Sequence, residues 1–332
     1  MKKMKKQLIN LLNIHATSGN EAPVRKYLKP ILTNLMDVVK VDSYGNLLAE
    51  KKCGNGNGAT VLLSAHMDTV KAVLADRKLI ITEDGIIMSN KGALGADDRA
   101  GIAIILTVLR NLNKLNFNGT IKVAFSREEE IGCVGASKID PNWYKDVDLA
   151  IVVDRRGNRD IVVGCCGMAF CSDSVGYFME DVAKLVDMPD WKCVEGGISD
   201  AMVFAEHGIN SINLSAGYMN EHTVNEYVSL KDMRNTVRLI LQTIAVINQF
   251  YKTFGLVPNE NKWVKSWYYK GYYNYYEDSF EGEYVWAEEA DLNGDVYIYD
   301  VGADIVIQQG NHEIILSRET MKSLIKQLSG AI

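Results

Sequence analysis

At 332 residues, with 47% hydrophobic and 23% charged side chains, the chain has the balance of a soluble globular protein and can bury a sizeable core. Its formal net charge of −6 provides no basic footprint for nucleic acid or an anionic membrane surface. No apolar run approaches transmembrane length. The start, MKKMKKQLINLLNIHA, imitates a signal peptide, but Asn10, Asn13 and His15 interrupt its apolar stretch and no small-residue cleavage site follows cleanly. An amphipathic first helix is expected instead.

Residues 5–35 read as helical, broken by a loop at 16–20 (ATSGN). Short Val/Ile/Leu-rich runs then alternate with helical patterns. The runs are VKVDSYGNLLAE, TVLLSA (60–65), GTIKVAFS (119–126), DLAIVVD (148–154) and INSINLS (209–215). The helical patterns fall at 101–112, 199–208 and 229–254. Continuous apolar runs alternating with helices indicate parallel strands buried on both faces. LIITEDGIIMS reads as a hairpin around Asp84-Gly85, an antiparallel addition at one edge.

Beyond Phe254 the composition shifts. WVKSWYYKGYYNYYEDSFEGEYVW is dense in Tyr and Trp, and VYIYDVGADIVIQQGNHEIIL alternates like strands joined by turns. SRETMKSLIKQL keeps helical spacing, with Ser317 and Thr320 as candidate caps. The expected organisation is a large α/β domain at 1–257 and a small β-rich domain at 258–332 that ends in a helix. DLNGD (291–295) resembles the start of a calcium loop but lacks the downstream Glu, so a turn at Asn293-Gly294 is expected.

Six cysteines, at 53, 133, 165, 166, 171 and 193, are too few and scattered for a disulfide framework. Cys165, Cys166 and Cys171 do not have a standard zinc spacing. They read as small buried thiols in a reducing cytoplasm.

The chemistry sits where apolar runs end. TVLLSA ends at His66, IKVAFS runs into Glu128, Glu129 and Glu130, LAIVVD ends at Asp154, and INSINLS leads to His222. Asp97 precedes a helix. In an open α/β sheet, ligands gather beyond the carboxyl ends of the strands, so these distant fragments can share one pocket. Two imidazoles and several carboxylates suit a borderline, redox-inert cation such as zinc. They exceed the needs of one four-coordinate ion and fit two ions sharing a bridging carboxylate, with a further carboxylate left to take a proton from water. The bland alternatives are a solvated acidic turn at 128–130, and caps at Asp154 and Asp98. His15, His207, His312, Met67 and Met168 need no functional role.

The ordered set HMDTV, GADDRAG, EEEIG, a strand-ending Asp, GGISDA and a last His resembles the co-catalytic dinuclear zinc exopeptidase superfamily, which includes the leucyl aminopeptidases, peptidase T and the glutamyl-aminopeptidase-like enzymes. The similarity spans roughly residues 5–250. It implies a three-layer αβα fold with a mixed, mostly parallel central sheet. It further implies two divalent ions, Zn2+ in first place with Co2+ or Mn2+ as alternatives. His66 and Asp154 match ligands of one ion, Glu130 and His222 ligands of the other, and Asp97 the bridging position. Asp68 matches the residue that orients His66. Glu129 matches a general base acting on a water held between the ions. Asp200 matches a position near the site that does not ligate, and Asp98 a neighbour or cap.

The segment from Arg155 to Glu195 is too short for the lid domain usual in the carboxypeptidase and aminoacylase branch, which favours an aminopeptidase. Arg155 and Arg156 are a departure: their guanidinium groups could hold a substrate carboxylate or lie exposed. The expected activity is removal of N-terminal residues from peptides, with homo-oligomers possible. Other amide hydrolases on this fold (an N-deacylase, dipeptidase or carboxypeptidase-like enzyme) and a non-catalytic binding relative are the alternatives. Retention of Glu129 beside every expected ligand speaks against the last.

Overall fold

The computed structural model describes residues 2–258, 296–301, 304–309 and 312–317. The helices are α1 (Lys2–Leu12), α2 (Ala22–Thr33), α3 (Ala96–Asn111), α4 (Val134–Ser137), α5 (Pro141–Tyr144), α6 (Asp173–Leu185), α7 (Asp200–Glu206) and α8 (Leu230–Val246). The strands of the same region are β1 (Val38–Val41), β2 (Leu47–Cys53), β3 (Thr60–His66), β4 (Leu79–Ile81), β5 (Ile86–Ser89), β6 (Gly119–Ser126), β7 (Leu149–Arg155), β8 (Asp160–Cys165), β9 (Met168–Ala169), β10 (Lys192–Glu195), β11 (Ser211–Ser215), β12 (Tyr218–Met219) and β13 (Tyr227–Ser229).

The main sheet runs β1-β2-β6-β3-β7-β11-β8-β10. β6, β3, β7 and β11 are mutually parallel, and β10 is parallel to β8. β1 and β2 are antiparallel at one side, and β8 is antiparallel to β11. The sheet is mixed and mostly parallel, as expected. Strand β3 is buried along its whole length because helices cover both faces. Val61, Leu63, Ala65, Ile121, Val123, Phe125, Leu149, Ile151 and Val153 alternate onto one face and join the main core with α1, α3, α6 and α8. On the other face α4 and α7 pack over a smaller cluster of Cys133, Ala136 and Val203. The result is three layers.

The basic start does form an amphipathic helix: α1 buries Met4, Gln7, Leu8, Leu11 and Leu12. VKVDSYGNLLAE resolves into the β1–β2 hairpin, whose turn is held by the Asp42 carboxylate accepting from the backbone N–H of Tyr44, Gly45 and Asn46. LIITEDGIIMS is the β4–β5 hairpin, but it does not extend the main sheet. It belongs to a second sheet of order β12-β13-β5-β4, because β13 pairs with β5. The segment between Arg155 and Glu195, unassigned from sequence, supplies β8, α6 and β10 and widens the main sheet.

Contacts divide the chain into two compact units, Met1–Cys165 with Ala169–Glu260, and Cys166–Met168 with Asn261–Ile332. In the second, strands β14 (Val296–Val301), β15 (Asp304–Gln309) and β16 (His312–Ser317) form an antiparallel three-stranded sheet. The aromatic-rich segment, the turn at Asn293-Gly294 and the expected C-terminal helix lie outside the described residues.

Candidate metal centre

Parallel pairing places the ends of β3, β6 and β7 on one edge. His66 pairs in register with Ser126, the last residue of β6, so the acidic turn after β6 begins beside the imidazole. Asp154 is the next-to-last residue of β7, with its N–H donating to Asn213 Oδ1 at 2.8 Å. Helix α3 packs against β3 and β7 and carries Asp97 and Asp98 in its first turn. Its approach depends on Gly101, where a Cβ would lie 2.0 Å from the Val153 carbonyl oxygen.

His66 is buried. Its Nε2 lies 3.0 Å from Asp97 Oδ1, 3.4 Å from Asp154 Oδ1 and 3.9 Å from Glu129 Oε2. Its Nδ1 is 3.2 Å from Asp68 Oδ1. His222 stands opposite, with backbone φ of 63°. Its Nε2 is 3.2 Å from Asp97 Oδ2 and 2.9 Å from Glu130 Oε2. The two oxygens of Asp97 therefore face two different imidazoles.

Around this core each buried carboxylate has protein partners. Asp68 accepts from Ser18 Oγ at 2.8 Å and from the N–H groups of Glu129 and Glu130 at 3.1 and 3.2 Å. Asp154 accepts from the Tyr218 hydroxyl at 3.0 Å. Asp98 accepts from His66 N at 3.3 Å and Gly101 N at 2.9 Å, so it ties the start of α3 to the end of β3. Glu129 Oε1 receives the Cys133 thiol at 3.3 Å. Asp200 accepts from Ser126 Oγ through Oδ2 and lies beside the Cys133 thiol. Glu128 turns away to the Tyr44 hydroxyl and Arg127.

Arg155 and Arg156 both have carboxylate partners within the chain. Arg155 Nε lies 2.9 Å from Asp160 Oδ2, and Arg156 pairs with Glu221 Oε1 at 2.5 Å.

Packing so many acids together moves their protonation. Burial, with Asp97 nearby, raises Glu130 to about 8, and burial likewise raises Asp154 to about 7. Burial, followed by the charge of Asp154, pushes Glu129 well above the carboxylate range. Burial works against a charged His222, but hydrogen bonds to Asp97 and Glu130 outweigh it and lift the imidazole to about 11. Asp97 is lowered despite burial, because both imidazoles donate to it. Such a cluster is poised for cations: protons compensate the carboxylates where no other positive charge is present.

Donor atoms of His66, Asp97 and Glu130 lie within 4.8 Å of one another, as do those of His66, Glu129 and Asp154. Imidazole nitrogen with carboxylate oxygen is a donor set that divalent zinc, cobalt or manganese accepts. The residues present fit such ions.

Several residues here escaped sequence reasoning. Ser18 lies in the loop read only as a helix break. Arg99 is fully buried, donates to the Met67 carbonyl and thereby supports the backbone between His66 and Asp68. Tyr218 and Glu226 flank His222. The available signal for Glu226 was its position four residues after His222 in NEHTVNEYVS.

The layered sheet with imidazoles and carboxylates gathered at its strand ends defines a member of the zinc exopeptidase superfamily. The chain belongs to the M42 glutamyl aminopeptidase family, whose model matches residues 71–239, just over half its length; it is a hydrolytic peptidase. The Bacillus subtilis (strain 168) protein YqjE is 30% identical over 226 residues, covering 65% of this chain and 55% of its own. Peptidase T of Streptococcus equi subsp. equi (strain 4047) is 47% identical over 77 residues, 23% of this chain and 17% of its own. Among solved structures, the aminopeptidase PepT of Bacillus cereus ATCC 10987 has a TM-score of 0.64 at 20% identity, covering 74% of this chain and 98% of its own. The TET1 peptidase of Pyrococcus horikoshii, which assembles into a tetrahedron or a large octahedral shell, has a TM-score of 0.57 at 19% identity, covering 73% and 99%. At these identities the solved structures establish a shared fold. Among the described residues no helix is long and apolar enough to cross a membrane.

Proposed function

We propose that the chain is an aminopeptidase that removes N-terminal residues from peptides, using two divalent ions, preferably zinc. The observation that carries this reading is the placement of Asp97, with one carboxylate oxygen on His66 and the other on His222. His66 and Asp154 would hold one ion, His222 and Glu130 the other, and Asp97 would serve both. When bound, two such ions supply Lewis acidity at the scissile carbonyl and acidify the attacking water. Asp68 fixes the His66 ring by facing its Nδ1. Glu129, held on Oε1 by the Cys133 thiol, keeps Oε2 toward the centre, where it takes the proton from water and passes it to the departing amine.

Two facts favour an aminopeptidase over an enzyme that grips a substrate carboxylate. The matching family is one of glutamyl aminopeptidases. Arg155 and Arg156, which follow Asp154 in the chain, already engage Asp160 and Glu221. We also read residues 1–257 as the catalytic domain and 258–332 as a separate appendage. Assembly as a homo-oligomer is supported by the oligomer-forming TET1 relative of the fold, and cytoplasmic residence by the six free thiols.

The test is hydrolysis of aminoacyl-anilides against N-acyl amino acids by zinc-, cobalt- or manganese-loaded protein. Cleavage confined to substrates with a free α-amine is expected; turnover confined to the N-acyl compounds would replace the reading with a deacylase. Glu129→Gln is expected to cut turnover by about 10²–10⁴-fold, the usual worth of a positioned base, without loss of metal. Full activity in that variant would remove Glu129 from its role.

A further inference from the structure

Glu226 is buried to 1% exposure, yet it lies outside the set of imidazoles and carboxylates that surround the centre. Its Oε2 accepts the Gly95 N–H at 2.7 Å, and its Oε1 accepts those of Ala96 at 2.7 Å and Asp97 at 3.1 Å. These are the first backbone donors of α3, which a regular helix leaves without internal partners. Here they need an outside acceptor more than usual. Gly95 sits at φ 72° in the left-handed region, and Asp97 and Asp98 depart from helical geometry, so helix formation alone does not fix this turn. Arg77 secures the same stretch from its other side by donating to the carbonyls of Ala93 and Leu94.

The loop that carries Glu226 also carries His222. It leaves β12 and returns in β13, and β13 pairs with β5, whose chain leads directly into α3. Asp97 is therefore gripped twice from one loop: by His222 on its side chain and by Glu226 on its backbone. The His66 side of the centre stands on other strands, β3 and β7, and meets this region through the Tyr218 hydroxyl on Asp154 and through Asp97 itself.

We propose that Glu226 is a positioning residue that registers Asp97 against His222, and so sets the affinity of the ion held by His222, Glu130 and Asp97. This rests on the two-ion reading above. Loss of Glu226 leaves three N–H groups without an acceptor and frees the loop, loosening one half of the centre while His66 and Asp154 keep theirs. Supporting residues of this kind commonly change metal affinity by about 10–100-fold.

The experiment is a zinc titration of the full chain, after chelator treatment, followed by calorimetry and by metal content after dialysis. Wild type, Glu226→Gln, Glu226→Asp and His222→Ala are compared, with circular dichroism and melting of each metal-free protein as the check on folding. Wild type is expected to bind two ions per chain. Glu226→Gln is expected to follow His222→Ala in keeping the first near wild-type affinity while weakening the second by about 10–100-fold. Glu226→Asp keeps the charge but is one methylene shorter, and carries the comparison if the Gln variant does not fold. Two ions bound at wild-type affinity in both Glu226 variants would overturn the inference alone. Equal weakening of both ions would show a general structural role and overturn it too. A wild-type chain that takes up a single ion would overturn the two-ion reading and this inference with it.

Discussion

Asp68 accepts hydrogen bonds from the Ser18 hydroxyl and the N–H groups of Glu129 and Glu130 while facing His66 Nδ1. One carboxylate thus joins the first loop of the chain, the end of β3 and the acidic turn after β6. An amide in its place would turn an NH2 toward one of those donors. Asp68→Asn is expected to weaken zinc binding by about 10–100-fold while the protein stays folded, as read by competition with a chromogenic chelator. Unchanged affinity would reduce Asp68 to a bystander. Residues of this kind were unevenly legible. His66, Asp154 and Glu129 stand out because each ends or follows an apolar run, so period and burial announce them. Ser18 and Glu226 lie in polar loops with no periodic signal, and only the folded chain shows what they touch.

At the scale of elements, α3 does most to position the centre. It is buried on nearly every side, and Gly101 lets it approach β7 so closely that a methyl group would collide with a backbone carbonyl. A backbone atom cannot swing aside as a side chain can, so Gly101→Ala is expected to cost about 1–3 kcal/mol, seen as a lower urea midpoint at unchanged slope. A midpoint equal to wild type would mean that the helix can shift freely. The element pattern read from sequence succeeded for β3, β6, β7 and α3, where long apolar runs leave little choice. It missed β8, α6 and β10, whose segment was weighed only for whether it could hold a lid. It also misplaced the β4–β5 hairpin, because pairing with β13 is a long-range event that no local pattern contains.

For the whole molecule, metal and stability are linked. Ions that bind the folded chain and not the unfolded one stabilise it by about 2.7 kcal/mol per site at a hundredfold excess over Kd. Chelation is therefore expected to lower the melting temperature, and re-addition of zinc to restore it. A melting curve indifferent to both would argue against any tight site. The assembly reading predicts a solution mass above that of one chain at micromolar concentration, measured by light scattering. A strictly monomeric protein would remove it.

The second sheet has a consequence for the order in which the molecule comes together. β5 is made early and β13 late, and their pairing brings His222 and Glu226 to Asp97. Contacts between distant parts of a chain form slowly, because the intervening loop must first be closed. Until residues 227–229 have docked, the nascent chain holds His66 and Asp154 without the opposite half of the centre. On the two-ion reading, hydrolytic competence would not precede the pairing of that small sheet's last strand.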